Sequence, residues 1–451
     1  MPDNFKTTKK LNELKNNNSL YDLKFEKIIP DKNNDWLNQI NPKSFQMIKL
    51  AYEKNKSKND QSSIFDNNYS SGINTAKNKW VYSFDKQLLI ERMTKYIEEF
   101  NELSNDLQKD LKLKSLTNIK NQKKYIMEYI HKNSNSKIKI SELQSLLTLR
   151  NKLIDHQESE IRVCCYKPFV KRYLYFNKNI FHSLHLSLNM FPKFDTKNIL
   201  ICTSALKGGS GKFFYFVTNE LIDAAFYSSV LSQCYPLYWY QKNKEPNLFE
   251  NDSDIKNYAI NSESVNSFQK KYNDLNITAF HIYIYIYALF HHSTYNEKYR
   301  NNLMKEPPWI PYLKDFWKYV DIGEKLINLH VNYEKVPPYQ NVKIEIVKED
   351  YKIKKINFED NKQTIKFNEY IAIKNIPLKA YEYKVGDRSP LEWVKNEYRY
   401  SIDYESQIIN DPNKFDEIKG GKYVFDLILS LITLSLETLD LIDQLPEYQE
   451  I

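Results

Sequence analysis

Cationic and aromatic side chains alternate along residues 166–177, whose sequence is YKPFVKRYLYFN. The cations are Lys167, Lys171 and Arg172, and five of the other nine residues carry Tyr or Phe rings. This combination is typical of surfaces that bind an anionic and planar partner, and nucleic acid has both properties. An ordinary sheet strand gives the same pattern when its rings are core residues and its cations form the solvated face. The pattern alone leaves both interpretations open.

A glycine-rich stretch, KGGSGK at Lys207–Lys212, resembles a phosphate-binding loop. Backbone N–H groups of such a loop cradle a phosphate, and a lysine reaches it. The complete pattern is absent, because Leu206 stands where the first glycine belongs and Phe213 stands where a Ser or Thr would bind Mg²⁺. We therefore expect no nucleotide hydrolysis. The alternatives are a loop whose Lys207 and Lys212 contact DNA phosphates and an ordinary turn.

Two strings, EPPW at Glu306–Trp309 and VPPY at Val336–Tyr339, resemble the motif of amino-methyltransferases. That chemistry needs an acceptor for the exocyclic amine of a flipped base and a ring that stacks on the base. Val336 supplies no acceptor. EPPW follows a long helical segment that has no glycine-rich cofactor-binding turn upstream, so we interpret it as a helix stop.

Histidines and cysteines form no metal-binding or nucleophilic pattern. His182 with His185, and His291 with His292, lack the spaced third and fourth ligands of a zinc site. The four cysteines include an adjacent pair and are expected to be reduced thiols; they are Cys164, Cys165, Cys202 and Cys234. We predict no catalytic residue, no metal and no cofactor.

The composition is that of a folded, soluble protein. Of the 451 residues 41% are hydrophobic, which is enough apolar surface to offset the conformational entropy of folding. The net charge of +8 permits nucleic-acid binding without requiring it. The N-terminus lacks the apolar segment of a secretory signal, and acidic residues interrupt the longest apolar run, residues 424–442. We expect a cytoplasmic protein without a membrane partner.

Hydrophobic periodicity predicts an α+β fold with a central β-rich core, helical layers and a small antiparallel meander. Short β-branched and aromatic segments follow one another between residues 161 and 240, whereas Asp85, Thr278 and Ser389 each precede a helical pattern. The predicted regions are a polar extension (1–35), a helical connector (36–160), the β-rich core (161–276) and a helical region (277–451) with the meander at about 342–385. The lysines of the connector are either a solvated face or a DNA contact; they are Lys120, Lys123, Lys124, Lys137 and Lys139.

The string YKPFVKRYLYFN resembles the YRPF-x-x-RWLYYD signature in the C-terminal region of type ISP restriction-modification enzymes. In these enzymes one polypeptide holds nuclease, translocase, methyltransferase and DNA-specificity parts. Further blocks resemble the same region in the same order: EKIIPDKNNDWLNQ (Glu26–Gln39), GINTAKNKWVYSF (Gly72–Phe84), CYPLYWY (Cys234–Tyr240), FHIYIYIYALFHHSTYNEKYRNNL (Phe280–Leu303), FWKYVDIGEKLINLHVNYE (Phe316–Glu334) and DPNKF (Asp411–Phe415).

The resemblance implies sequence-specific binding of double-stranded DNA, with Lys167, Lys171, Arg172, Lys207 and Lys212 as the candidate contacts. Lys167 replaces an arginine of the signature, and because lysine cannot form the bidentate fork to guanine it is expected to contact phosphate. The family's catalytic motifs lie upstream of the matched region, so methyl transfer and cleavage are expected from a methyltransferase or nuclease polypeptide, with this chain beginning just after the methyltransferase Asn-Pro-Pro-Tyr segment. The alternatives are that the chain is itself a DNA methyltransferase or restriction endonuclease, or a truncated remnant without function.

Overall fold

The computed structural model describes residues 12, 15–16, 28–30, 36, 39–52, 63–156, 161–205, 213–228, 230–242, 254–415 and 421–451. They fall into two units, residues 1–42 and 43–451. In the first unit the side chain of Gln39 donates a hydrogen bond to the carbonyl of Ile29 at 2.5 Å. The second unit contains every element described below, and its mixture of helices and separate sheets is α+β, as predicted.

Helices dominate the first part of the second unit. Its elements are Ile48–Lys49 (β1), Ser70–Ser71 (β2), Asn78–Val81 (α1), Tyr82–Ser83 (β3), Lys86–Lys109 (α2), Leu111–Ser115 (α3), Ile119–Asn133 (α4) and Glu142–Leu149 (α5). Asp85 caps α2 by accepting from the backbone N–H of Leu88, and the apolar face of α2 is buried, so the helix predicted after Asp85 is confirmed. Trp80 lies in α1, although its alternation with Tyr82 and Phe84 is typical of a strand, and the strand β3 begins only at Tyr82.

Two four-stranded sheets form the β core and confirm the strands predicted between residues 161 and 240. The elements are Ile161–Lys167 (β4), Val170–Tyr175 (β5), Ser187–Met190 (α6), Leu200–Ser204 (β6), Tyr215–Thr218 (β7), Leu221–Ile222 (β8), Ser232–Pro236 (β9), Tyr238–Gln241 (β10) and Ile255–Tyr258 (β11). One sheet has the order β2-β9-β6-β7 and is antiparallel. The other has the order β3-β5-β4-β8, in which only β4 and β8 run parallel. Strands β10 and β11 form a separate antiparallel pair.

A helical layer packs behind the β core. It comprises Ser262–Tyr272 (α7), Ala279–Phe290 (α8), Ser293–Lys298 (α9), Arg300–Lys305 (α10), Trp309–Ile310 (β12) and Phe316–Val331 (α11). Thr278 caps α8 as predicted. The long helical segment expected here is divided into α8, α9 and α10. The side chain of Asn296 in α9 donates to the carbonyl of Phe290, the last residue of α8. Helices α8 and α11 approach closely at Gly323, where a β-carbon would lie 2.6 Å from the carbonyl oxygen of Ile284.

The C-terminal part contains the predicted meander and the last helix. Its elements are Lys343–Ile346 (β13), Asn357–Glu359 (β14), Thr364–Lys366 (β15), Ile371–Lys374 (β16), Pro390–Glu397 (α12), Ser401–Ile402 (β17), Ile409–Asn410 (β18) and Tyr423–Asp443 (α13). The meander has the order β13-β16-β15-β14, and strands β17 and β18 form a hairpin. Within the predicted range of the meander, residues 351–356 form no strand, because the Asn413 side chain bonds the backbone N–H and carbonyl of Ile353 in place of a neighbouring strand. No helix among the described residues has the length and apolarity needed to cross a bilayer.

Candidate nucleic-acid interface

The stretch YKPFVKRYLYFN forms a hairpin instead of the single strand that its alternation indicated. It contains the end of β4, a turn at Pro168 and Phe169, and all of β5. Proline has no backbone N–H for the ladder, and Phe169 has a positive φ of 62°, so the strand is interrupted there. Phe169 and Tyr175 are buried, which places these rings in the core.

Lys171 faces the helical layer. Its ammonium forms ion pairs with Glu334 at 2.7 Å and with Glu220 at 3.6 Å, and it lies 5.6 Å from the ring centre of Tyr333. Burial alone would lower the pKa of Lys171, but Glu334 and Glu220 outweigh it, so the pKa is raised. The cation that we predicted for DNA therefore already has two carboxylate partners, and DNA contact by Lys171 stays a prediction.

Arg172 lies on the opposite side of β5, between two rings. Its guanidinium carbon is 4.2 Å from the ring centre of Tyr166 and 4.6 Å from that of Phe84. Nη2 pairs with Glu397 at 3.4 Å, while the buried Nε–H has no acceptor among the residues that the structure describes. The two rings and Glu397 already engage the guanidinium and hold it in one place. Contact between Arg172 and DNA therefore also stays a prediction.

Lys167, the last residue of β4, is buried. Its ammonium donates to the carbonyl of Ala225, and burial lowers its pKa against the attraction of Asp223. Burial in turn raises the pKa of Asp223, which accepts hydrogen bonds from the Tyr82 hydroxyl and the Ala225 N–H. The remaining predicted contacts, Lys207 and Lys212, lie outside the described residues.

A groove runs past the signature hairpin. It consists of two adjoining cavities of about 510 and 350 Å³ that share Asn78, Lys79 and Asp403, and we call it the central groove. Arg172 and Tyr166 line the smaller cavity, while Asp223 and Ala225, the neighbours of Lys167, line the larger one. The structure thus places Arg172 in the groove, Lys167 behind the groove wall, and Lys171 on the other side of the strand.

Cations from distant parts of the chain line the central groove. They are Lys77, Lys79, Lys137, Lys139, Arg172 and Arg399. Of these, Lys77 is buried, donates to Gln144 at 2.6 Å and to the Ile180 carbonyl at 2.8 Å, and has its pKa lowered to about 7 by burial. Arg399 is exposed and belongs to no ion pair among the described residues. Sequence reasoning named Lys137 and Lys139 but missed Lys77, Lys79 and Arg399, although Lys77 and Lys79 lie in the matched block GINTAKNKWVYSF.

The hairpin of β17 and β18 forms one rim of the groove. Asp403 pairs with Lys79, and Glu405 pairs with Lys139 at 3.6 Å. Asp403 also accepts from the backbone and hydroxyl of Ser406, which makes the tip a tight turn. These bonds, with that of Lys79 the strongest, lower the pKa of Asp403. Lys79 and Lys139 are exposed, and within the described part of the chain their ion-pair partners are carboxylates of this hairpin. Together with the exposed Lys137 they are called the rim lysines.

The opposite wall depends on Gly72. A β-carbon at this position would lie 2.6 Å from the carbonyl oxygen of Asp223, so only glycine permits this approach. The backbone N–H of Ile73 then bonds the carbonyl of Ile222 at 2.9 Å, and the following segment carries Lys77 and Lys79 to the groove. No group of His, Cys, Asp and Glu among the described residues could hold a metal ion.

Comparisons with known proteins agree with this architecture. Residues 63–427 match the family model of the Type ISP C-terminal specificity domain. The chain is similar to a nuclease-deletion mutant of the Type ISP restriction-modification enzyme LlaGI in complex with a DNA substrate mimic, at 30% identity and a TM-score of 0.79 over 99% of this chain. It is also similar to the ATP-dependent Type ISP enzyme LlaBIII bound to DNA, at 31% identity and 0.79 over 95%, and to DrdV in a DNA complex, at 25% identity and 0.75 over 100%.

The chain spans less than half of each of these structures, namely 32% of the LlaGI chain, 26% of the LlaBIII chain and 43% of the DrdV chain. No curated protein matches its sequence. Since the family model extends over most of the chain, the chain belongs to the family of Type ISP C-terminal specificity domains.

Proposed function

We propose that this chain recognises a specific sequence of double-stranded DNA as the target-recognition part of a Type ISP restriction-modification enzyme. The observation that carries the proposal is the central groove of a specificity-domain fold, whose rim lysines are exposed and lie beside the family's signature hairpin. Methyl transfer, cleavage and translocation are assigned to other parts of such an enzyme, in the same or a partner polypeptide.

In this mechanism the rim lysines Lys79, Lys137 and Lys139 bind phosphates and set the position of the duplex. Arg399 is the candidate base-reading residue, because its guanidinium is exposed in the groove and has the geometry to bond guanine in a bidentate manner. Lys171 and Arg172 would contact DNA only by exchanging their carboxylate partners for phosphate. We propose that Arg172 mainly holds the groove in shape and that Lys171 mainly holds the helical layer against the β core.

Selection of bound duplexes from a random pool tests sequence recognition, and titration with salt measures the phosphate contacts. Replacing Lys79, Lys137 and Lys139 together by Gln should weaken duplex binding by roughly tenfold or more and reduce the salt slope by up to about three. The matched control replaces Lys318, Lys325 and Lys335, three exposed lysines outside the groove, and should leave binding unchanged. A pool without an enriched sequence would contradict target recognition, and equal losses in both triple variants would contradict the groove.

A further inference from the structure

A second cavity, of about 370 Å³, adjoins the central groove, and Leu231 lines both. Its volume lies in the range of cavities that hold small organic ligands. Rings and prolines supply much of its lining; they are Tyr52, Tyr69, Phe213, Tyr235, Pro307 and Pro308. Flat aromatic walls next to a DNA groove suit a planar ligand that stacks.

Glu306 is the acidic residue of this lining. Lys49 pairs with its Oε2 at 3.4 Å, and the same ammonium lies 4.9 Å from the ring centre of Trp309. Glu306 Oε1 is buried and has no hydrogen-bond partner among the described residues. A carboxylate oxygen left buried without a donor is costly, so a donor from a ligand would be favourable here.

The nature of that donor follows from Lys49. Because Lys49 already balances the charge of the carboxylate, a second cation would leave an excess positive charge, whereas a neutral N–H group would not. A neutral, planar donor that stacks on rings is a nucleobase carrying an exocyclic amine.

We propose that this cavity binds one amine-bearing nucleobase, with Glu306 Oε1 accepting the hydrogen bond of the amine. The proposal rests on the proposed function in one respect, namely that the base comes from DNA lying in the central groove; a free nucleoside presents the same chemistry. It involves binding only and no methyl transfer. The string EPPW, interpreted as a helix stop, does follow the end of α10 and also places Glu306 in the cavity.

Nucleoside binding to the full chain, followed by ligand-observed NMR, measures the cavity directly. Adenosine should bind more tightly than purine riboside, which lacks only the amine, by about tenfold or more. In the Glu306→Gln variant Lys49 should attract the amide oxygen, which would put the NH₂ group where the free acceptor was. We expect this variant to lose the preference for adenosine, and Glu297→Gln, an exposed carboxyl outside this cavity, to keep it.

A duplex containing 2-aminopurine tests the DNA source, since its fluorescence rises when the base leaves the stack. The probe is placed in turn at each position of the duplex selected by the wild-type chain. We expect an increase at one position with the wild type and with Glu297→Gln, but not with Glu306→Gln. A common melting temperature and common affinity for random duplex show that the variants are folded.

Loss of the adenosine preference or of the fluorescence increase in Glu306→Gln alone supports the cavity. The proposal is overturned when neither probe responds in the wild type, or when Glu306→Gln responds as the wild type does. Failure of the proposed function is distinguishable, because it appears as a random pool without an enriched sequence, while the nucleoside measurement does not depend on duplex recognition.

Discussion

Two charge clusters lie near strand β5. The exposure of their lysine side chains differs far more than the distances within their ion pairs. The inner cluster joins Lys171 to Glu220 and Glu334, and the Lys171 side chain is 13% exposed. The rim cluster joins Lys79 to Asp403 and Lys139 to Glu405, and the two lysine side chains are 66% and 63% exposed. A pair separated by 3.6 Å occurs in both clusters.

The difference teaches which cations are available to a ligand. Removing one member of a buried pair leaves an uncompensated charge, so such a pair is fixed by the fold. An exposed pair adds little to stability, since water and salt compete with it, and phosphate can replace its carboxylates. We therefore expect the inner cluster to hold the fold together and the rim cluster to exchange its partners for DNA.

The largest expected effect is that of Lys171→Met. It leaves Glu220 and Glu334, whose side chains are each 28% exposed, without their cation next to the helical layer. The free energy of unfolding should fall by about 2 kcal/mol, less than for a fully buried pair. Lys79→Met removes an exposed cation and should cost less than about 1 kcal/mol. Urea unfolding of both variants measures the difference.

The same pair of variants tests the sequence-based assignment of Lys171 to DNA. If Lys171→Met keeps its stability and loses duplex affinity, Lys171 is a DNA contact and the distinction between the two clusters is wrong. If Lys79→Met shows the larger loss of stability, the exposure argument fails as well.

A second test uses pH, because the helical layer contains buried neutral histidines. Burial lowers the pKa of His291 to about 4 and that of His330 well below its ordinary value. In the unfolded chain these groups bind protons below about pH 6.5, so stability is lost as the pH falls towards 4, by about 1.4 kcal/mol per pH unit for each histidine. His291→Gln, which can still donate to the Tyr287 carbonyl, should make this slope shallower by that amount.

Unfolding measured at pH 7.5, 6 and 5 gives the two slopes. Lys79→Met serves as the reference, because it changes no histidine and should reproduce the wild-type dependence. Parallel slopes for the wild type and His291→Gln would show that His291 is protonated in the folded chain.

A smaller effect is expected from the rim carboxylates. Replacing Asp403 by Asn and Glu405 by Gln frees Lys79 and Lys139 and removes two charges that repel phosphate. Duplex affinity at low salt should rise about three- to tenfold with a steeper salt dependence, while stability should change little. Glu345→Gln, which breaks exposed pairs with Lys343 and Lys374 in the meander, is the control and should leave affinity unchanged.

Local features of this fold were predictable from the sequence, whereas the site was predictable only in part. Caps such as Asp85 and Thr278 act on backbone groups three residues away, and short-range patterns contain them. The ion-pair partners of the cations are far away in the sequence, since Lys171 and Glu334 are 163 positions apart and Lys79 and Asp403 are 324 apart. Burial of a cation depends on such distant contacts. For that reason an alternating basic pattern could not distinguish a DNA contact from a structural ion pair.

The smallest effect on stability, and the most specific effect on recognition, is expected from Tyr404→Ala. Tyr404 lies at the tip of the rim hairpin and is 94% exposed, so its ring buries almost nothing and its removal should change unfolding by less than about 0.5 kcal/mol. Because the Asp403–Ser406 turn fixes the tip beside the groove, we expect the exposed ring to contact a duplex bound there. Selection with Tyr404→Ala should relax the preference at one base position while the salt slope stays that of the wild type, since no cation is lost. Tyr400→Ala, at a less exposed ring before the hairpin, is the control. A reduced salt slope, or an unchanged selected sequence, would show that Tyr404 does not read a base. The rim hairpin would then act on DNA only through its ion pairs with Lys79 and Lys139.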